Sequence, residues 1–266
     1  MSLANTAADD ASAAPSGRPA RQSYGFLFRY GVIFSMAFVL TFFLQVAVAK
    51  MLFTPWYLPI GGTIAALVVV VGAAGERRWW RVAIALVCVA LACLEWFFVL
   101  VATVLPGYSG PIEQGSAIPA FHAMLAEGGE FDESSFQNHP MTALVFFQGR
   151  WCPFCMTQLQ ELESHHADFS RVGADVVVVS IEDTQKAAQT QKDFPHLTVV
   201  SDERRELSGA IDLINRNSAP DGTDSAAPTI LLVDRTGTVQ WLHRPTRFIA
   251  RPSASELVKM IEDLKR

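Results

Sequence analysis

Two cysteines, Cys152 and Cys155, carry the most readable chemistry in this chain, and their setting says which chemistry it is. They lie in Arg150-Trp151-Cys152-Pro153-Phe154-Cys155. Before them an apolar run, 142–147, reads as a buried strand, and from Pro153 onward the chain reads as a helix. The first sulfur then sits at a helix N-terminus, where unpaired backbone N–H groups and the macrodipole favour thiolate over thiol. The second lies one turn further on, near enough to close a small disulfide ring. The expected chemistry is dithiol–disulfide exchange, with the redox-active disulfide as its only cofactor. No metal is expected, because a zinc site normally needs four ligands and the chain has no second Cys-x-x-Cys.

The rest of the 266 residues must position that pair, and composition splits them in two. Between Tyr30 and Leu105 the only charges are Lys50, Glu76, Arg77, Arg78, Arg81 and Glu95. The apolar stretches 30–49, 56–75 and 82–105 run for 20, 20 and 24 residues. About 20 helical residues cross a bilayer core, so a membrane domain of three transmembrane helices is expected over 24–106. Core helices of a soluble protein would be shorter and would keep a polar face. Residues 1–23, rich in Ala, Ser and Asp, read as a disordered tail and not as a cleavable signal.

Arg18, Arg21 and Arg29 flank the first stretch, and Arg77, Arg78 and Arg81 fill the second loop, against Lys50 alone in the first. The positive-inside rule therefore places the N-terminus in the cytoplasm and sends everything after Leu105 to the periplasmic or extracellular side of the inner membrane. Disulfides persist there and can be substrates, which favours a catalytic Cys-x-x-Cys. The exported part has 14 Lys and Arg against 22 Asp and Glu, a balance of −8. Such a surface argues against nucleic acid and against docking on anionic lipid.

Residues 107–118 read as a linker and 119–266 as the redox domain. A weak strand is expected near 121–125, a helix from 153 to about 170, a buried strand at 175–180 and a helix at 184–193. A short strand at 197–200, a helix at 203–213, a polar loop at 215–227 and a hairpin of 229–234 with 238–243 follow. Ser253-x-x-Glu256 is a capping box that opens the last helix. Strands alternating with helices indicate an α/β sheet covered on both faces.

With these elements in place the domain resembles the thioredoxin superfamily, and within it the TlpA/ResA-like redoxins and the peroxiredoxin-like AhpC/TSA group. Three pieces carry the resemblance: the strand and turn from Phe146 to Cys155, Ala227-Pro228-Thr229-Ile-Leu-Leu, and Leu232-Val-Asp234-Arg-Thr-Gly237. It implies a thioredoxin-like fold, a central mixed sheet with flanking helices. By the same resemblance Cys152 would be the attacking thiolate, Cys155 the resolving thiol, Pro228 a cis proline against the disulfide, and Trp151 a flank of the sulfur. The buried acid usual in thioredoxins is replaced by Phe146, which leaves Glu182 as a candidate for proton transfer. Arg150, two residues before Cys152, is a candidate to stabilise the thiolate. Aligned on Cys155, the peroxidase pattern would need Thr at Cys152 and Pro at Gln148, and its Arg would fall near Ala227. A peroxide site without those groups lacks its electrostatic activation.

The reading from sequence is an exported, membrane-anchored thiol–disulfide oxidoreductase with antioxidant relatives. A protein or small-molecule disulfide or thiol would be its substrate, and a membrane or soluble partner its electron donor or acceptor. The alternatives are a peroxiredoxin-like thiol peroxidase and a non-catalytic redox-switched module. Glu95 lies mid-span, where an ionisable group is costly and is a functional candidate by default. The plainer expectation is a protonated carboxyl bonded to a neighbouring helix through Gln45, with Cys88 and Cys93 as small packing residues.

Overall fold

The computed structural model describes residues 19–76 and 78–265. Three helices come first: α1 (Pro19–Ala47), α2 (Tyr57–Ala74) and α3 (Trp79–Phe97), the last continued by a π-helical turn, Phe98–Ala102. All three are long and apolar enough to cross a membrane. Most of the expected disordered tail lies outside the described residues, while residues 19–23 are already helical.

The redox domain follows as β1 (His122–Leu125), β2 (Glu130–Asp132), β3 (Met141–Phe146), α4 (Pro153–Ser164), α5 (His166–Arg171), β4 (Ala174–Ser180), α6 (Thr184–Asp193), β5 (Thr198–Ser201) and α7 (Glu206–Ala210). A small ladder of β6 (Ile214–Asn215) and β7 (Ser225–Ala226) interrupts the expected polar loop. The hairpin of β8 (Thr229–Asp234) and β9 (Val239–His243) and the closing helix α8 (Ala254–Leu264) complete the chain. The seven-stranded sheet has the order β2-β1-β5-β4-β3-β8-β9. Its centre, β3, β4 and β5, is parallel, and β1, β8 and β9 join antiparallel.

Both faces of the sheet are buried, as continuous apolar runs require. Met141, Ala143, Val145 and Phe147 point to one face, where Cys152, Cys155 and Leu159 of α4 and Leu257 and Ile261 of α8 pack. Leu144, Phe146, Val177 and Val179 point to the other, against Phe121, Phe136, Leu207 and Ile211. The cysteines thus belong to the core on one side of the sheet.

Two compact units emerge: residues up to Phe38 with Tyr57–Glu95, and Val39–Trp56 with Trp96–Arg266. In the first, Ala66, Val69, Ala73, Ala85, Cys88 and Ala92 form a shared apolar contact. Small residues let helix backbones approach closely. Glu95 is buried, and the approach of its carboxylate to Gly62 leaves no room for a Cβ there. Gln45 donates from Nε2 to the carbonyl of Met51 at 2.9 Å.

In the second unit the expected linker is not free. Ile112 and Ile118 are buried, and Ala117 pairs with Thr238 beside β9. Gly115 N–H donates to Val239 O at 2.7 Å and Ile118 N–H to Gly237 O at 2.8 Å, so this stretch extends the sheet edge. The stretch 244–252, between β9 and α8, is held in a similar way. Leu105 N–H donates to Thr246 O, Phe248 N–H to Thr103 O, and Arg251 N–H to Leu52 O. The Arg247 guanidinium donates to Val99 O and Thr103 Oγ1.

Leu159, fully buried on the inner face of α4, tests how far the site depends on this core. Leu159→Ala removes packing beneath both cysteines and is expected to cost about 2–5 kcal/mol, read as a lowered midpoint in denaturant unfolding.

Candidate active site

The turn between β3 and α4 is built around one glycine. Gly149 has φ 144°, and a Cβ there would stand 2.9 Å from both Glu182 Cδ and Trp151 Nε1. Only glycine meets both demands. Glu182 Oε2 accepts the Arg150 N–H at 3.0 Å, and Lys186 Nζ lies 3.8 Å from its other oxygen. Burial raises the Glu182 carboxyl, against the pull of these donors. Glu182 therefore pins the turn and is not among the contacts of either sulfur. Cys152 is the N-cap residue of α4 and Pro153 its first helical residue, where a missing N–H costs nothing. Trp151 is exposed at the turn.

Both cysteines are free thiols and are buried, Cys152 at 2% and Cys155 at 0% exposure. The Cys152 S–H has two acceptors in reach, Gln148 Oε1 at 3.3 Å and the Cys155 sulfur. Cys155 also accepts from the Gln148 backbone and from Nη2 of Arg251, 3.6 Å away. Arg251 is itself buried. Its Nε donates to Phe248 O at 2.9 Å and its Nη1 to Gln158 Oε1 at 2.5 Å. Among the described residues no carboxylate forms an ion pair with it.

A buried guanidinium facing neutral acceptors alone is costly, and a thiolate at Cys155 removes that cost. Burial pushes the Cys155 thiol up, but the Cys152 S–H, the Arg251 charge and the Gln148 N–H outweigh it and hold Cys155 at about 6. Cys152 is raised by its hydrogen bond to Cys155, by burial and by repulsion from that thiolate. The Arg251 contact therefore favours the thiolate at Cys155, the reverse of the assignment that the resemblance implied. The helix N-terminus acts on Cys152, but a buried cation in direct contact with Cys155 outweighs it.

Other expectations are corrected as well. The Arg150 guanidinium turns away to Asp193 Oδ2 at 2.8 Å and Thr190 Oγ1 at 3.3 Å, a surface pair on α6. Pro228 is buried ahead of β8, but its peptide is trans, as suits a chain already extended when it enters a strand paired through Phe146 and Thr229. Arg251 and Gln158 went unnoticed in the sequence, where Gln148 figures only as the position of a missing proline. The only local signal for Arg251 is its place two residues before the capping box at Ser253. Among the described residues no group of three or more His, Cys, Asp or Glu could hold a metal ion.

Residues 114–242 match the AhpC/TSA family. The domain is a redoxin of the thioredoxin superfamily. Within it, the domain falls in the peroxiredoxin-like group, as a redox enzyme of the peroxiredoxin/thioredoxin family. Peroxiredoxin Q, chloroplastic, of Oryza sativa subsp. japonica is 26% identical over 160 residues, 58% of this chain and 69% of the relative. Among solved structures, a mutant of peroxiredoxin 6 from Arenicola marina is 17% identical with TM-score 0.51, over 58% of this chain and 74% of its own. A PrxQ mutant from Xylella fastidiosa is 17% identical with TM-score 0.50, over 58% and 98%. At these identities the structures show the fold.

Arg251→Gln is expected to move the midpoint of Cys155 alkylation by iodoacetamide from about 6 towards the ordinary thiol value of 9.0, with Arg251→Lys recovering part of the shift. Stability should follow the same protons. Between about 6 and 9.0 the folded pair holds one proton fewer than the unfolded chain, so reduced protein gains stability as pH rises across that window. The gain is lost as pH falls through 6. Above 9.0 Cys152 keeps a proton that the unfolded chain gives up, and the slope reverses. Thermal unfolding of the reduced protein checks this, and Cys155→Ser should abolish the rise.

Proposed function

We propose that this chain is a membrane-anchored thiol peroxidase in which Cys155 attacks a hydroperoxide and Cys152 resolves the product. The observation that carries this reading is the buried Cys155 sulfur in contact with the Arg251 guanidinium. A small oxidant can reach a fully buried thiolate, whereas a folded protein disulfide cannot do so without opening the site. Arg251 also supplies a fixed positive charge, which the sequence pattern lacks near Ala227.

In the first step the Cys155 thiolate attacks one peroxide oxygen and the O–O bond breaks. The departing alkoxide takes a proton from solvent, leaving an alcohol and Cys155 sulfenic acid. Cys152, hydrogen-bonded to Cys155, then attacks the sulfenic sulfur. An S–S bond forms and water leaves, carrying the Cys152 proton and the sulfenic hydroxyl. An external dithiol reduces that disulfide by exchange, becoming oxidised itself. The cycle needs no cofactor beyond the disulfide.

The three apolar helices would anchor the enzyme in the inner membrane with its N-terminus cytoplasmic and the redox domain outside, served by a membrane or soluble donor. Disulfide exchange with a client protein is the second reading. It is favoured by the position of Cys152 at the N-cap of α4 beside the exposed Trp151.

Cys152→Ser treated with hydrogen peroxide should accumulate a Cys155 sulfenic acid that dimedone traps, and Cys155→Ser should not. A Cys155→Ser protein that instead retains mixed disulfides through Cys152, with no sulfenic acid in the other variant, would decide for exchange.

A further inference from the structure

Outside the dithiol the second unit contains a cavity of about 730 Å³, walled by Leu52, Phe53, Pro245 and Met260 and reached by Arg244 and Arg251. Neither arginine forms an ion pair with a carboxylate among the described residues. Arg244 lies over the Tyr108 ring at 5.2 Å, its buried Nε has no hydrogen-bond partner, and Asp212 acts on it only at longer range. Arg251 shows three hydrogen bonds, one of them to Cys155. A guanidinium offers five N–H groups, so neither residue is saturated. Of the acids that line the cavity, Glu256 is committed to the Ser253 N–H at 2.7 Å. Lys259, Asp263 and His243 complete the charged and titratable groups there. The cavity is a local exception to the acidic surface.

Leu52 and Phe53 belong to the loop between α1, which ends at Ala47, and α2, which begins at Tyr57. With α1 and α2 as the spans of the anchor proposed above, a loop this short lies at the bilayer surface. We propose that this cavity binds the oxyanion head of a membrane lipid, its phosphate seated on Arg244 and Arg251 and its apolar chain along Leu52, Phe53 and Met260. Arginine forks match phosphate oxygens, and here a buried and a half-buried guanidinium, neither paired with a carboxylate among the described residues, line one cavity.

The same geometry links the site to the dithiol and rests on the reading of Cys155 as the thiolate. Arg251 serves both anions, so the thiolate and the lipid head compete for one cation. When Cys155 is oxidised to the disulfide its charge disappears and Arg251 is left without an anion. The oxidised enzyme should therefore bind the lipid head more tightly than the reduced enzyme.

Isothermal titration of the full chain in phosphatidylcholine nanodiscs, with empty discs subtracted, tests both parts, using decyl phosphate as the probe. One site per chain is expected, with inorganic phosphate and decanol each about tenfold weaker or more. Arg244→Gln should weaken decyl phosphate by about tenfold and Arg244→Lys should largely retain it. Diamide-oxidised protein and Cys155→Ser should both bind several-fold tighter than reduced protein at a pH well above 6. Unchanged binding in Arg244→Gln overturns the site. Inorganic phosphate binding as tightly as decyl phosphate overturns the lipid in favour of a free anion. Equal binding by reduced, oxidised and Cys155→Ser protein overturns the link. A failure of peroxidase activity would leave each of these outcomes readable, and a failure here would leave dimedone trapping readable.

Discussion

A single buried contact organises this domain: the Arg251 guanidinium donating to the Cys155 sulfur, which it favours as thiolate, inside the core on one face of the sheet. Such a pair is not a device for stability. Taking two charges out of water costs several kcal/mol each, and removing one partner of a buried pair costs about 3–5 kcal/mol because the other is left stranded. The surroundings read as provision against that cost. Gln158, one turn along α4 from Cys155, and the Phe248 carbonyl occupy the remaining edge of the guanidinium. The Gln148 backbone closes on the sulfur from the β3 side. The arrangement keeps a proton off Cys155 and keeps one on Cys152, which is the division of labour that a nucleophile and its resolving thiol need.

Much of this scaffold was legible in the sequence where local physics decides it. The capping box at Ser253 and Glu256, the strand Thr229–Asp234 and the helix Thr184–Asp193 stand where their patterns place them. Elsewhere tertiary contacts won. The helix expected at 203–213 shrinks to Glu206–Ala210, because Arg205 is left-handed at φ 61° and the buried Asp202 carboxylate claims the Leu207 and Ser208 N–H groups. The helix expected from 153 to 170 breaks at His165. The stretch after Gly107 reads as a linker by composition, yet it adds to the sheet through backbone hydrogen bonds that no composition encodes.

The site divides along the same line. Spacing and setting were enough to bring out Cys152 and Cys155 and the turn that holds them. Which of the two carries the charge was not readable, because the deciding cation lies 96 residues downstream in a stretch without regular structure. Arg150 was the nearer candidate in sequence and is the farther one in function, since a half-buried arginine beside Asp193 finds an easier partner in a carboxylate. Glu182 likewise proved to be a fastener for the glycine turn.

The stretch from Pro245 to Arg251 is stitched to Val99–Leu105 on one side and to Leu52 on the other, all within one compact unit. The π-helical turn Phe98–Ala102, the residues just after it and the first inter-helix loop are therefore part of the frame of the reactive cation. A protease that cut the chain just after residue 105 would do more than part the redox domain from the apolar helices. It would loosen the backbone that aims Arg251, so such a cut would be an off-switch for the thiolate.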